Sequence, residues 1–112
     1  MFRTLLLAAL IAAGNSASAY FIWGTGEESC SDFVGAKVEY DHAGNTRDHL
    51  GHLNWIKGFI TGINWAKDSE VARDLDIETV SRWVDAYCRQ HPLESIAQAS
   101  EELVADLERR GR

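Results

Sequence analysis

Residues 76–92 read Asp-Ile-Glu-Thr-Val-Ser-Arg-Trp-Val-Asp-Ala-Tyr-Cys-Arg-Gln-His-Pro. Asp76 is a good N-cap, and with Glu78 it places negative charge at the positive end of a helix dipole. Ile77, Val80, Trp83, Val84, Tyr87 and Cys88 recur at the spacing of one helical face, while Arg82, Asp85, Arg89 and Gln90 take the other. His91-Pro92 stops the run, because a residue before proline avoids helical geometry. The stretch predicts a capped amphipathic helix carrying one of the two cysteines. The remaining helices are expected to pack on it, above all the one bearing Gly58 and Gly62.

The start of the chain obeys different rules. Arg3 precedes an unbroken apolar run, Leu5 to Ala13, which Gly14, Asn15 and Ser16 end before Ala17-Ser18-Ala19. This is the pattern of a secretory signal peptide, with cleavage expected between Ala19 and Tyr20. The apolar run is too short for a bilayer, which needs about 20 residues. Residues 1–19 are therefore expected to be removed, leaving a single helical domain over residues 20–112. That domain is expected to be periplasmic or secreted, with no membrane insertion after cleavage.

The whole chain carries 11 basic and 17 acidic side chains. Without Arg3 the balance is 10 against 17, a net charge of −7, which argues against nucleic acid or an anionic membrane as partner. Two cysteines and no Cys-x-x-Cys in an exported chain read as one structural disulfide, Cys30–Cys88. Closing so long a loop stabilises a fold by roughly 4 kcal/mol in the chain-entropy view.

Ser29 or Ser31 can cap a first helix in which Cys30, Phe33, Val34, Lys37 and Val38 share a face. Residues 39–48 read as a polar loop with a turn at Ala43-Gly44-Asn45, and Thr46 or Asp48 caps the second helix. Residues 49–68 are the most apolar long helix, striped by Leu53, Ile56, Phe59, Ile60, Ile63 and Ala66, with Asn54, Lys57, Thr61, Asn64 and Lys67 opposite and Trp55 and Trp65 flanking. Gly58 and Gly62 share a face, and close approach of a helix or an indole ring is expected to compensate their poor helix propensity. Residues 68–76 form an acidic connection without the glycine an EF-hand needs. Pro92 is expected to open a last helix over residues 93–110, with Leu93, Ile96, Ala97, Leu103, Val104 and Leu107 inward. Before Ser29, Phe21 and Trp23 are expected to fold back on the core, the alternative being an exposed arm for dimerisation or client contact. There are no repeats and no strand-like alternation. The fold class is all-α: a small four-helix bundle stapled by one disulfide.

Chemistry-bearing groups are sparse. His49 and His52 lie three apart beside Asp48, with His42 before them, so two imidazoles can meet one ion, but no motif fixes a third ligand. Surface or capping roles are expected for them, and pH sensing fits them better than metal. His91 ends its helix. No nucleophile elbow occurs, both cysteines are consumed by the bridge, and carboxylates are scattered. The chain is expected to be non-enzymatic, with no cofactor and no metal. Of Trp23, Trp55, Trp65 and Trp83, most are expected in the core and one or two on a binding surface.

Ser29-Cys30-Ser31-Asp32-Phe33, then Gly58-Phe59-Ile60-Thr61-Gly62-Ile63-Asn64, then Asp76-Ile77-Glu78-Thr79-Val80 leading to Cys88 and Pro92 resemble the HdeA/HdeB acid-stress chaperone family in order and spacing. Small helical immunity proteins that neutralise amidase effectors of type VI secretion share a similar layout. The first resemblance implies a periplasmic helical protein, dimeric near neutral pH, that dissociates in acid and holds denatured protein clients on exposed apolar surface. Carried over, Cys30 and Cys88 form the bridge, and Phe33, Phe59 and Val80 belong to the switchable surface. Trp55 and Trp83 join them as the expected client or partner surface. The lysine-rich ends of those chaperones are weak here, with only Lys37, Lys57 and Lys67.

Overall fold

Asp76 caps as the sequence predicts, its carboxylate accepting from the Thr79 amide at 2.8 Å. The computed structural model describes residues 20–112, so the expected signal peptide lies outside the described residues. A 3-10 turn, Gly24–Glu27, precedes α1 (Cys30–Ala43), α2 (Arg47–Lys67), α3 (Ile77–Gln90) and α4 (Ile96–Arg109). These are the four helices of an all-α bundle, and Cys30 and Cys88 are disulfide-bonded.

The helices form a ring in which α1 packs on α3, α3 on α4, α4 on α2 and α2 on α1. The disulfide helix α3 therefore lies across the core from the Gly58/Gly62 helix α2, rather than side by side with it as expected. Phe33, Leu53, Ile56, Val80, Val84, Ile96, Leu103 and Leu107 fill the centre around the disulfide.

Two helix boundaries move from their expected places, each for a local reason. Residues 39–43 are helical, not loop. Lys37 and Asp41 pair at 2.8 Å one turn apart, and Gly44 ends α1 in the left-handed conformation at φ 68°. At the other end, α4 starts at Ile96 and not near Pro92. Ser95 and Gln98 form a reciprocal capping box, which leaves residues 92–94 as a turn and Leu93 95% exposed. Val38 and Ala66 also face solvent, contrary to expectation.

The N-termini of α1 and α4 are joined. The Cys30 amide donates to the Glu94 carbonyl at 2.7 Å, Ser31 to Pro92 at 3.1 Å and Ile96 to Glu28 at 2.9 Å. Amides that a helix start leaves without intrahelical partners are thus satisfied by the neighbouring chain. At the far end of the molecule, Asn64 clamps the 68–76 connection. Its Oδ1 accepts from the Val71 amide and the Ser69 hydroxyl, and its Nδ2 donates to the Val71 carbonyl. The sequence pattern puts Asn64 on the wet face; it is half-buried because Val71, 7% exposed, plugs the core there.

Candidate functional site: a buried histidine pair beside an aromatic arm

His49 and His52 are not surface or capping residues. They are 2% and 3% exposed, on the buried face of α2. Their positions explain this. With Leu53, Ile56 and Ile60 they fall at i, i+3, i+4, i+7 and i+11, the stripe that faces the core. That spacing is the signal the sequence offers.

Phe33, fully buried on α1, stacks on His52 and meets His49 edge-on, both with ring centroids 5.8 Å apart. Tyr40, two helical turns further along α1, has its ring centroid 4.7 Å from that of His49. His52 Nε2 is 3.0 Å from Glu28 Oε2 at the rim. The Nδ1 atoms of both rings are buried without a hydrogen-bond partner. Burial pushes the His49 pKa below the ordinary imidazole value, Lys37 adds to that, and Asp41 and Glu78 pull weakly the other way. His49 is thus held neutral in the folded core, where a proton would be costly. Among the described residues no group of three or more His, Cys, Asp and Glu side chains is placed to hold a metal ion.

Beside this pair stands the aromatic arm. Phe21 and Trp23 do not fold back on the core: they are 75% and 81% exposed and pack edge-to-face on each other at 5.1 Å. The indole of Trp55 packs instead on the turn that follows them, against Gly24 and Gly26. Its N–H donates to the Trp23 carbonyl at 2.6 Å, and its ring covers Gly26. Gly26 is the glycine this contact demands, since a methyl there would overlap the ring. Gly26→Ala is expected to lose about 1–3 kcal/mol by overpacking and to shift tryptophan fluorescence, read together in a urea titration.

The five residues expected to form one client surface do not form a single patch. Phe33 and Val80 are core residues. Trp55 and Phe59 stack at 5.6 Å beside the arm. Trp83 lies in the α3–α4 seam, its N–H donating to Asp106 at 3.2 Å, in a stack that continues through Tyr87 to His91.

The outer face of α2 is also unlike its expectation. Gly58 and Gly62 touch no helix and no indole: nothing lies within 4 Å of where a side chain would start, and the same holds at Gly51. None of the three has a positive φ. Each costs about 1 kcal/mol of helix propensity relative to alanine, and no contact within the chain offsets it. Trp65, on this face, is 87% exposed.

Among the described residues no helix is long and apolar enough to cross a membrane. No known protein family, curated protein or solved structure matches the chain.

Proposed function

We propose that this chain is an exported, non-enzymatic helical protein of the HdeA/HdeB type, which opens in acid and holds denatured proteins on the apolar surface so released. The observation that carries this is the burial of His49 between Phe33 and Tyr40. A neutral imidazole in a core is a destabilising charge in waiting: lowering the pH forces a choice between leaving it unprotonated and opening the seam.

The sign comes from linkage. His49 has its folded pKa below the unfolded value near 6.5, so the unfolded chain takes the proton first. Stability is complete above pH 6.5 and is lost as pH falls from there through the folded value. A second stage comes later. Asp76 is held low by the Thr79 amide, and Asp41 by its hydrogen bond from Lys37. Burial of Asp106 works the other way, but Arg110, Trp83 and Arg109 outweigh it and lower its pKa. These carboxylates contribute stability above the unfolded value near 3.8 that is lost as pH falls through their lower folded values. The groups facing His49 are Lys37, Tyr40 and Asp41 from α1, Glu78 from α3 and His52 on its own helix.

The expected profile therefore has two steps. Below pH 6.5 the unfolding free energy falls with a slope of up to about 1.4 kcal/mol per pH unit for one histidine, and it falls again below pH 4. His49→Gln is expected to remove the first step and keep the second, in urea titrations at pH 7, 6, 5 and 4. For function, the chain is expected to suppress aggregation of an acid-denatured client at pH 3–5 and not at pH 7. A chain that opens in acid yet leaves client aggregation unchanged would sink the holdase assignment.

A second reading is supported by the arm. Trp55 fixes the Trp23 backbone in the folded state, which suits a partner bound at neutral pH, such as a cell-wall amidase held by an immunity protein. Tight neutral-pH binding to one folded enzyme, abolished by Trp23→Ala, would favour it.

A further inference from the structure

We propose that the groove between α2 and the start of α3 binds a single-chain anionic amphiphile, of which a free fatty acid is the simplest member. The groove holds about 340 Å³ and is walled on its third side by the 68–76 connection, which puts it in the size range of small-molecule sites. It exists because α2 and α3 lie across the ring from each other, so no helix fills the space between them. Ile60, Val71 and Val80, all buried, make an apolar floor, and the half-buried Leu75 and Ile77 make one side. The connection is a fixed wall. Asn64 ties Val71 through both its amide and its carbonyl, and the Ala72 amide donates to the Arg112 carbonyl at 3.2 Å. These bonds hold Ala72 at φ 65°, a left-handed conformation that is costly for a residue with a side chain. A wall set before the ligand arrives spares the ordering cost of binding.

The occupant is identified by charge. The exposed Lys57 and Arg73 line the groove with one carboxylate, Asp76, which already accepts from the Thr79 amide as the cap of α3. Lys37 and Lys67 pair with Asp41 and Glu108, whereas Lys57 makes no ion pair among the described residues. Arg73 pairs with Glu70, both strongly exposed, and such a pair is weak enough to yield to a ligand. In a chain with 17 acidic and 11 basic side chains this rim is a cationic exception. The hollow beside His52, by contrast, is lined by Glu28, Asp32, Glu39 and Asp48. An apolar floor under a cationic rim fits an apolar tail with a carboxylate head. The acidic balance of the whole chain selects a dissolved monomer over an anionic bilayer, whose extended surface would repel the molecule as a body.

The site belongs to the folded chain and does not depend on the acid-opening mechanism, so it is tested at neutral pH. Decanoate, kept below micelle formation, is titrated into isotope-labelled chain at pH 7 and followed by nuclear magnetic resonance. Saturable shifts are expected at the amides of Ile60, Val71 and Val80. Lys57→Gln is expected to weaken decanoate binding about threefold to fivefold, the effect of losing one solvent-exposed ion pair, with helicity and unfolding as in the parent. Decanol, which has the same tail and no charge, is expected to bind the parent more weakly than decanoate does, and to bind Lys57→Gln as it binds the parent. This cycle separates headgroup from tail. Phosphatidylglycerol vesicles are expected to sediment without the chain. The proposal is overturned if decanoate gives no saturable shifts, or shifts centred on the exposed Phe21, Trp23 and Trp65. Decanoate affinity unchanged by Lys57→Gln, or a chain that pellets with the vesicles, also overturns it. So do groove amides that shift on raising the protein concentration alone, which would put a second copy in the groove.

Discussion

Serine at both Cys30 and Cys88 is expected to lower the unfolding free energy by about 4 kcal/mol, the loop-closure entropy of a cross-link 58 residues apart. For a domain of this size that corresponds to a fall in Tm of roughly 15–30 °C. The sulfurs are fully buried at the point where α1, the end of α3 and the start of α4 converge. Two serine hydroxyls left there without partners would add to the loss. Urea denaturation of the double variant, and of the parent with reductant, should agree. Unchanged stability in both would mean that the denatured chain is already constrained without the bond.

Phe33→Ala is expected to cost about 3–5 kcal/mol, the range for removing a fully buried phenylalanine. The ring is 0% exposed and packs against both histidines. Its loss has a second consequence that an ordinary core deletion lacks. Water gains access to His49, the burial that depresses its pKa weakens, and the group moves back toward 6.5. A nuclear magnetic resonance titration of the imidazoles should show that rise, and the step in stability below pH 6.5 should shrink with it. A large stability loss with His49 titrating as before would mean that the cavity closes over the ring instead of hydrating it.

The bundle is legible in the sequence because its signals are local. Asp76 and Ser29 cap the helices that begin after them, and the α3 face from Ile77 to Cys88 is the face that packs. The features that escape a sequence reading are decided by competition. Pro92 is a good first helical residue, but Ser95 with Gln98 satisfies two amides at once and sets the boundary. Phe21 and Trp23 are apolar enough to bury, yet they stay exposed and pack on each other, while Trp55 packs on the Gly24–Gly26 turn that follows them. Residue type argues for exposed histidines, but at His49 and His52 the position in the apolar stripe takes precedence. Helix propensity argues for a close neighbour at Gly58 and Gly62, and inside the chain none is there.

The joint between the N-termini of α1 and α4 also has a topological consequence. The disulfide closes a covalent ring that contains α1, α2 and nearly all of α3, so those helices cannot part by more than the ring allows. Helix α4 begins eight residues beyond Cys88, outside that ring. Noncovalent contacts hold it in place: hydrogen bonds such as Ile96 to Glu28 and Trp83 to Asp106, the Lys67–Glu108 ion pair, and the packing of Ile96, Leu103 and Leu107. It is therefore the detachable element of the molecule. Native-state hydrogen exchange should find its amides opening at lower free energy than those of α1, with α4 the first helix to lift away and uncover the core.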